Sequence, residues 1–144
     1  MEEGAAVYFE QLISERSNWQ THSDISARVW DDLIAMKAFT TQFPGVSMRD
    51  VDTSEQTERL LLYCGELCIG QLQYEFGHIA FQYLAVKTSE DKVLFDYWDE
   101  YTELGWANAF VKVFDQSIED FYTEFEAFLL LSVDEQLDVL GIDP

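Results

Sequence analysis

The feature that most restricts the fold of this chain is an alternation of polar and apolar side chains in its middle. From residue 71 to residue 76 every second side chain is apolar, and the phase reverses across Gly77-His78. A period of two is typical of a half-buried β-strand, and a two-residue loop that starts with glycine suits a tight hairpin turn. The pattern predicts a hairpin whose buried face comprises Leu72, Tyr74, Phe76, Ile79, Phe81 and Tyr83.

Two further turn signals extend this hairpin into a sheet. Gly65-Glu66 would join a strand over residues 59–64 to another over residues 67–70. The polar stretch Lys87–Lys92 would then lead into a strand over Val93–Trp98. Apolar runs separated by short turns are typical of antiparallel sheets, so we expect a meander of about four strands.

Helical periodicity flanks the expected sheet on both sides. Apolar residues recur every three to four positions over residues 3–17, and again from a cap at Ser23 or Asp24 to a Pro-Gly stop. Near the C-terminus, Ser117 and Ser132 each begin a capping sequence followed by a helical apolar stripe. The predicted fold is α+β, a single domain over residues 1–144. It has two N-terminal helices, an antiparallel four-stranded meander and two C-terminal helices packed on one sheet face.

The net charge is the most unusual property of the chain. Its 144 residues include 28 Asp and Glu against 8 Lys and Arg, a formal charge of −20 at pH 7, yet 48% are hydrophobic. That hydrophobic content is enough for a core and argues against disorder. No apolar run is long enough to cross a bilayer, and the start of the chain lacks a basic signal-peptide region. Direct binding to nucleic acid or to an anionic membrane surface is excluded, because both carry the same sign of charge.

This charge is concentrated in the C-terminal part of the chain. Residues 1–89 contain 13 acidic and 6 basic residues, whereas residues 90–144 contain 15 acidic and only 2 basic residues. Solubility requires a net charge of only about 2–8 for a small domain, so the excess calls for a different explanation.

The two cysteines indicate a location rather than a site. Cys64 and Cys68 stand in an apolar segment, which is typical of small core residues kept as thiols in a reducing compartment. A zinc site would need two more ligands, and only two distant histidines, His22 and His78, are available. We expect a cytoplasmic protein without a metal or cofactor, and we interpret His78 as a turn residue.

No motif in the chain is typical of a particular enzymatic reaction. The acids around Trp98 could serve as an acid–base pair for glycoside cleavage, but close acid pairs arise by chance in so acidic a chain, and a solvated edge is the simpler interpretation. The acidic stretch that begins at Asp50 lacks the glycine and the final carboxylate of a calcium loop. Nucleophile elbows and phosphate-binding loops are also absent, so we expect no enzyme activity.

An acidic surface on an ordinary core suggests an inhibitor of a basic partner. Rows of carboxylates on rigid helices could occupy the groove of a nuclease or another nucleic-acid-binding enzyme, as a protein of the immunity, anti-restriction or anti-CRISPR type or a mimic of nucleic acid. Neighbouring aromatic residues could act as anchors, although core packing would also explain them. The predicted partner-binding residues are Asp96, Trp98, Asp99, Glu100, Tyr101, Glu103, Glu119, Asp120, Glu124, Glu126, Asp134, Glu135 and Asp138. Reversing the charges of Glu119, Glu124 and Glu126 should then abolish inhibition and preserve the fold.

Two alternatives stay open at this point. In size, acidity and expected mixed α/β content, the chain resembles type III secretion chaperones, which implies a small acidic chaperone or adaptor that binds a protein client. No aligned motif carries this resemblance to particular residues. The second alternative is adaptation to high salt, which the low lysine content supports and the high aromatic content opposes. The oligomeric state does not follow from the sequence.

Overall fold

Helices form almost all the regular structure in the computed structural model, which describes residues 2–142. No strand occurs within these residues. The elements in chain order are α1 (Glu2–Arg16), α2 (His22–Gln42), a 3-10 helix (Met48–Val51), α3 (Ser54–Gln71), a π-helical turn (Leu72–Phe76), α4 (Gly77–Lys87), a second π-helical turn (Lys92–Asp96), α5 (Tyr97–Leu104), α6 (Trp106–Phe114), α7 (Ile118–Leu130) and α8 (Val133–Leu140).

The α+β fold predicted from the alternating segment is wrong, because that segment is helical. Leu72, Phe76 and Ile79 are fully buried and recur at helical steps of four and three, whereas Tyr74, which the hairpin would bury, is 50% exposed. The strand period of two and the helical period cannot be distinguished here, because α4, into which this segment runs, is apolar on nearly every side. His78 is a buried residue of α4 and not a turn residue. A helix buried all round has no amphipathic stripe to reveal it in the sequence.

The other predicted strands are also helical. Gly65 lies at a kink inside α3, with φ of 82° and ψ of −178°, so the turn signal there marks a bend between two helical segments. Glycine reaches this backbone conformation without the penalty that a Cβ would add. Residues 93–98, predicted as a strand, form the second π-helical turn and the start of α5. With no sheet in residues 2–142, the C-terminal helices pack on other helices instead.

The four helices predicted at the two ends of the chain are present. The cap of α2 is Thr21 rather than Ser23 or Asp24, and Thr21 forms a reciprocal capping box with Asp24. Ser117 caps α7, and Ser132 forms a capping box with the third residue of α8. Local hydrogen bonding at these caps fixes the helix ends without help from tertiary structure, which is why the sequence identifies them.

Helix α4 lies at the centre of the fold and contacts α1, α2 and α8. One continuous cluster of buried apolar side chains runs from Ala5 to Ile142 and includes residues of all eight α-helices. A polar chain crosses this core: His78 lies 2.7 Å from Asp32 Oδ2 through Nδ1 and 2.7 Å from Gln11 Oε1 through Nε2. Gln11 Nε2 in turn donates to Gln82 Oε1 at 3.1 Å, so the polar groups buried between α1, α2 and α4 satisfy one another.

The predicted free thiols are wrong, because Cys64 and Cys68 form a disulfide across the kink of α3. The inference of a reducing compartment from unpaired cysteines therefore loses its basis. Among residues 2–142 no group of three or more His, Cys, Asp or Glu side chains is placed to hold a metal ion. In the same residues, no helix combines the length and the apolar character needed to cross a membrane.

Candidate partner-binding surface

Four of the predicted partner-binding acids form a stripe along one helix face, which begins at Asp96, the residue before α5, and continues along α5. Asp96, Asp99, Glu100 and Glu103 are separated by steps of three, one and three, which keeps them within about 100° around a helix. Aromatic side chains occupy the opposite, core-facing side. At about 1.5 Å of rise per residue the stripe covers about 10.5 Å of helix axis, in steps of about 4.5, 1.5 and 4.5 Å.

Two lysines lie beside this stripe. Lys112 of α6 pairs with Glu100 at 2.6 Å, and Lys92 lines the same shallow depression as Asp96 and Asp99. Among residues 2–142, no ion pair with a basic side chain involves Asp96, Asp99 or Glu103. These three carboxylates are exposed to solvent. We refer to Asp96, Asp99 and Glu103 as the α5 acids.

The acids of α7 are engaged inside the molecule. Arg49 of the 3-10 helix reaches across to α7, where its Nε donates to Glu119 Oε2 at 3.1 Å and its Nη1 contacts Glu126. Its Nη2 donates to Thr123 Oγ1 at 3.2 Å, and the guanidinium stacks 5.1 Å from the ring centroid of Tyr122. Glu119 and Glu126 therefore stabilise the attachment of the 3-10 helix to α7.

The other acids of α7 and Glu135, which caps α8, are likewise occupied. Lys87 of α4 pairs with Glu124. Asp120 accepts from the Ser117 hydroxyl at 2.7 Å, and Glu135 accepts from the Ser132 hydroxyl at 2.7 Å. Glu135 accepts hydrogen bonds from the side chain and from the backbone of Ser132. These bonds lower the pKa of Glu135, and the side-chain bond has the larger effect.

The structure therefore divides the predicted acids into two groups. Six of them have a partner inside the molecule and five do not. The five are the three α5 acids together with Asp134 and Asp138 of α8, for which residues 2–142 provide no ion pair. The occupied acids are Glu100, Glu119, Asp120, Glu124, Glu126 and Glu135. Charge reversal at Glu119, Glu124 and Glu126 would place like charges beside Arg49 and Lys87, so it would not separate binding from folding.

The two predicted aromatic anchors are partly buried. Trp98 donates from Nε1 to the Val93 carbonyl at 3.1 Å, and its ring packs against Phe9 at 6.1 Å between centroids. The Trp98 and Tyr101 rings also contact each other at 5.7 Å. Both rings line a depression of about 230 Å³ together with Trp106, which leaves one edge of each accessible.

Sequence reasoning missed the residues that tie the elements together. The Tyr122 hydroxyl donates to Asp52, and burial raises the pKa of both groups. At the C-terminal end of α7, Lys37 of α2 donates to the carbonyls of Leu129 and of Leu131, the residue after the helix, and burial lowers the pKa of Lys37. The sequence carries no local signal for these contacts, because 70 or more positions separate the partners.

Comparison with known proteins does not add to this geometry. No protein-family model matches the chain, and neither a curated protein nor a solved structure matches it. The function of the chain therefore has to be inferred from the exposed acids and their positions.

Proposed function

We propose that this protein is an acidic inhibitor that blocks a basic site on a nucleic-acid-acting protein, with the α5 acids as its main contact. The observation that carries the proposal is a row of three exposed carboxylates that pair with no basic side chain of residues 2–142. Asp96, Asp99 and Glu103 lie about 4.5 Å and about 6 Å apart along the helix axis, so they present closely spaced negative charges to a partner. A basic groove that binds the phosphates of a nucleic acid attracts such a row of charges.

The division of the acids supports the same proposal. Acids that pair with Arg49, Lys87 or Lys112 hold elements of the fold together, so their presence has a structural explanation. The α5 acids have no such partner in the described part of the chain, and like charges at helical spacing repel by a few tenths of a kcal/mol. An unpaired row of carboxylates costs stability and is explained by attraction to a cationic partner, which also accelerates association.

A capture experiment followed by an enzymatic assay tests this proposal. The immobilised protein is incubated with extract of its native host at low salt and washed at rising salt, and the retained proteins are identified. We expect a basic nucleic-acid-binding enzyme whose retention falls steeply with salt, and whose activity on DNA or RNA the free protein inhibits. Retention without inhibition of any nucleic-acid-directed activity would contradict the proposal.

Two triple variants locate the contact. The α5 triple (Asp96→Asn, Asp99→Asn, Glu103→Gln) removes the unpaired acids of the stripe. The matched triple (Glu10→Gln, Asp31→Asn, Glu58→Gln) removes three exposed acids elsewhere. Both variants change the net charge from −20 to −17. A difference in inhibition between them therefore reports the position of the acids and not the total charge. Only the α5 triple should lose inhibition.

A chaperone or adaptor is the second candidate, and an exposed apolar patch beside the disulfide favours it. Leu62 is 89% exposed and Leu67 is 79% exposed on α3, with Leu61 and Tyr63 beside them. A patch of this kind marks a site for an apolar partner. The mixed α/β content that suggested secretion chaperones is absent from residues 2–142. Salt-resistant capture of a client that is lost in Leu62→Ser/Leu67→Ser, and kept in the α5 triple, would favour this candidate.

A further inference from the structure

An apolar cavity of about 370 Å³ opens between the end of α2, the 3-10 helix and α7. Met48, Phe76, Phe125 and Leu129 line its interior. This volume falls in the range of ligand pockets, about 300–1,000 Å³, whereas a close-packed core leaves few voids larger than a water molecule. At the cavity, Leu130 is 86% exposed at the last residue of α7. An occupant of the cavity would cover part of this apolar side chain.

The charged groups at the cavity favour a cation over an anion. Arg49 lines the cavity, but its guanidinium already donates to Glu119 at 3.1 Å, to Thr123 at 3.2 Å and to Glu126. An anionic ligand would meet these two carboxylates around the same guanidinium. One guanidinium between two carboxylates leaves a net charge of −1 at this position.

Glu126 provides the specific contact for such a cation. Its Oε1 faces Arg49, while its Oε2 accepts no hydrogen bond from any residue of the described part of the chain. Glu126 also lines the cavity, beside Phe125. An ammonium group at the mouth could donate to Oε2 while an apolar body fills the interior.

We propose that this cavity is a binding site for a small amphipathic amine, with an aromatic or branched aliphatic body among Met48, Phe76 and Phe125 and its ammonium group on Glu126. This site is separate from the α5 acids and does not rest on the proposed inhibitor function. Pockets that combine an apolar lining with one or two placed polar groups orient their ligands in this way. Charge complementarity at Glu126 selects the amine over a carboxylate of the same shape.

Three probes of nearly equal size test the selectivity. 4-Phenylbutylamine, 4-phenylbutan-1-ol and 4-phenylbutanoate are titrated into the purified full chain, and binding is followed by protein-observed NMR and calorimetry. We expect saturable binding of the amine, about tenfold weaker binding of the alcohol, and still weaker binding of the carboxylate. Absence of saturable binding by the amine, or equal affinity for all three probes, would overturn the proposal.

Two single variants separate the site from general attraction to an acidic protein. Glu126→Gln removes the negative charge at the cavity, and Glu119→Gln removes the other carboxylate on Arg49 without changing the lining. Each variant removes one negative charge. We expect Glu126→Gln to bind the amine no better than the alcohol and Glu119→Gln to keep the wild-type preference. Equal losses in both variants would overturn the assignment.

Two further measurements keep the test independent of any loss of stability in Glu126→Gln. In the wild-type protein, the phenyl protons of bound 4-phenylbutylamine should show NOE contacts to the Met48 methyl group. Thr40→Phe, which adds a ring at a lining position, should abolish binding of the amine and the alcohol alike. NOE contacts only to surface residues away from the cavity, or full binding in Thr40→Phe, would overturn the proposal.

Discussion

Gly4 of α1 and Gly77 of α4 touch backbone to backbone where the two helices cross. A Cβ added at Gly4 would lie 2.3 Å from the Gly77 Cα, and one added at Gly77 would lie 2.8 Å from the Gly4 Cα. Neither distance can be accommodated by turning a side chain, because backbone atoms are involved. The closeness of α1 to the central helix therefore depends on glycine at both positions.

Gly4→Ala should lower the free energy of unfolding by about 2 kcal/mol or more, because an overfilled contact forces the two backbones apart. Gly70→Ala is the matched control, since a Cβ at that helical position meets no heavy atom within 4 Å. The control should raise stability by about 0.5–1 kcal/mol through the lower entropy of the unfolded chain. Urea titration of both variants measures this difference, and similar effects of the two substitutions would refute the close approach.

Arg49→Lys should destabilise the protein nearly as much as Arg49→Met, by about 1–2 kcal/mol. A lysine cannot donate to Glu119, Glu126 and Thr123 at once and also stack on Tyr122, whereas the planar guanidinium does all of these. Thermal unfolding measures the loss for both variants.

The control for Arg49 is an exposed ion pair. Arg59 pairs with Glu55 one helical turn away at 2.9 Å, and both side chains are largely exposed. Arg59→Met makes the same change in net charge as Arg49→Met and should cost only about 0.3–0.5 kcal/mol. Equal losses at the two positions would mean that Arg49 acts only through total charge.

Stability should rise as the pH is lowered from 7 to 5. Burial raises the pKa of Asp52 and of Glu75. The folded state therefore takes up protons at a higher pH than the unfolded chain does, so the free energy of unfolding falls as the pH rises from about 4 through the raised folded pKa values. Relief of self-repulsion in a chain of net charge −20 acts in the same direction.

Asp52→Asn should flatten this pH dependence. The amide oxygen can still accept the hydrogen bond from Tyr122, while the buried charge is removed. Asp31→Asn, at an exposed position, makes the same charge change and should leave the slope close to wild type. Urea titrations at pH 5, 6 and 7 measure the slope. Below about pH 4 the trend should reverse, because hydrogen bonds to the caps lower the pKa values of Asp24 and Glu135.

The disulfide predicts a specific chemical reactivity. The unfolded protein treated with iodoacetamide should take up no carbamidomethyl group before reduction and two after it, because Cys64 and Cys68 are the only cysteines and they are paired. Reduction should lower stability by no more than about 2 kcal/mol, since the loop that it closes is short. Intact-mass spectrometry measures the uptake, and two modified thiols without reductant would refute the pairing.

The sequence predicted the end helices correctly and the middle of the chain incorrectly, for one physical reason. Ser117 and Ser132 place their capping signals in the chain itself, so local residues suffice to identify α7 and α8. In the middle, Leu72, Phe76 and Ile79 satisfy a strand period and a helical period together. Burial of α4 on nearly all sides decides between the two, and this burial is a property of the whole fold.

The candidate surface was predictable to a similar extent. The spacing of Asp96, Asp99 and Glu103 is visible in the sequence once a helix is assumed. The pairing of Glu119 and Glu126 with Arg49 is not, because 70 or more positions separate these acids from Arg49 and only the tertiary fold brings them together. Counting acids cannot distinguish a structural carboxylate from an available one.

The proposed role of the α5 acids is tested by the affinity of the α5 triple for the captured enzyme. Calorimetry at 50 and 200 mM salt compares this affinity with those of the wild type and the matched triple. We expect the α5 triple to bind about tenfold more weakly at the lower salt and to show a shallower salt dependence, while the matched triple stays within about twofold of wild type. Equal affinities of the two triples would show that the position of the α5 acids does not matter, and would contradict the account.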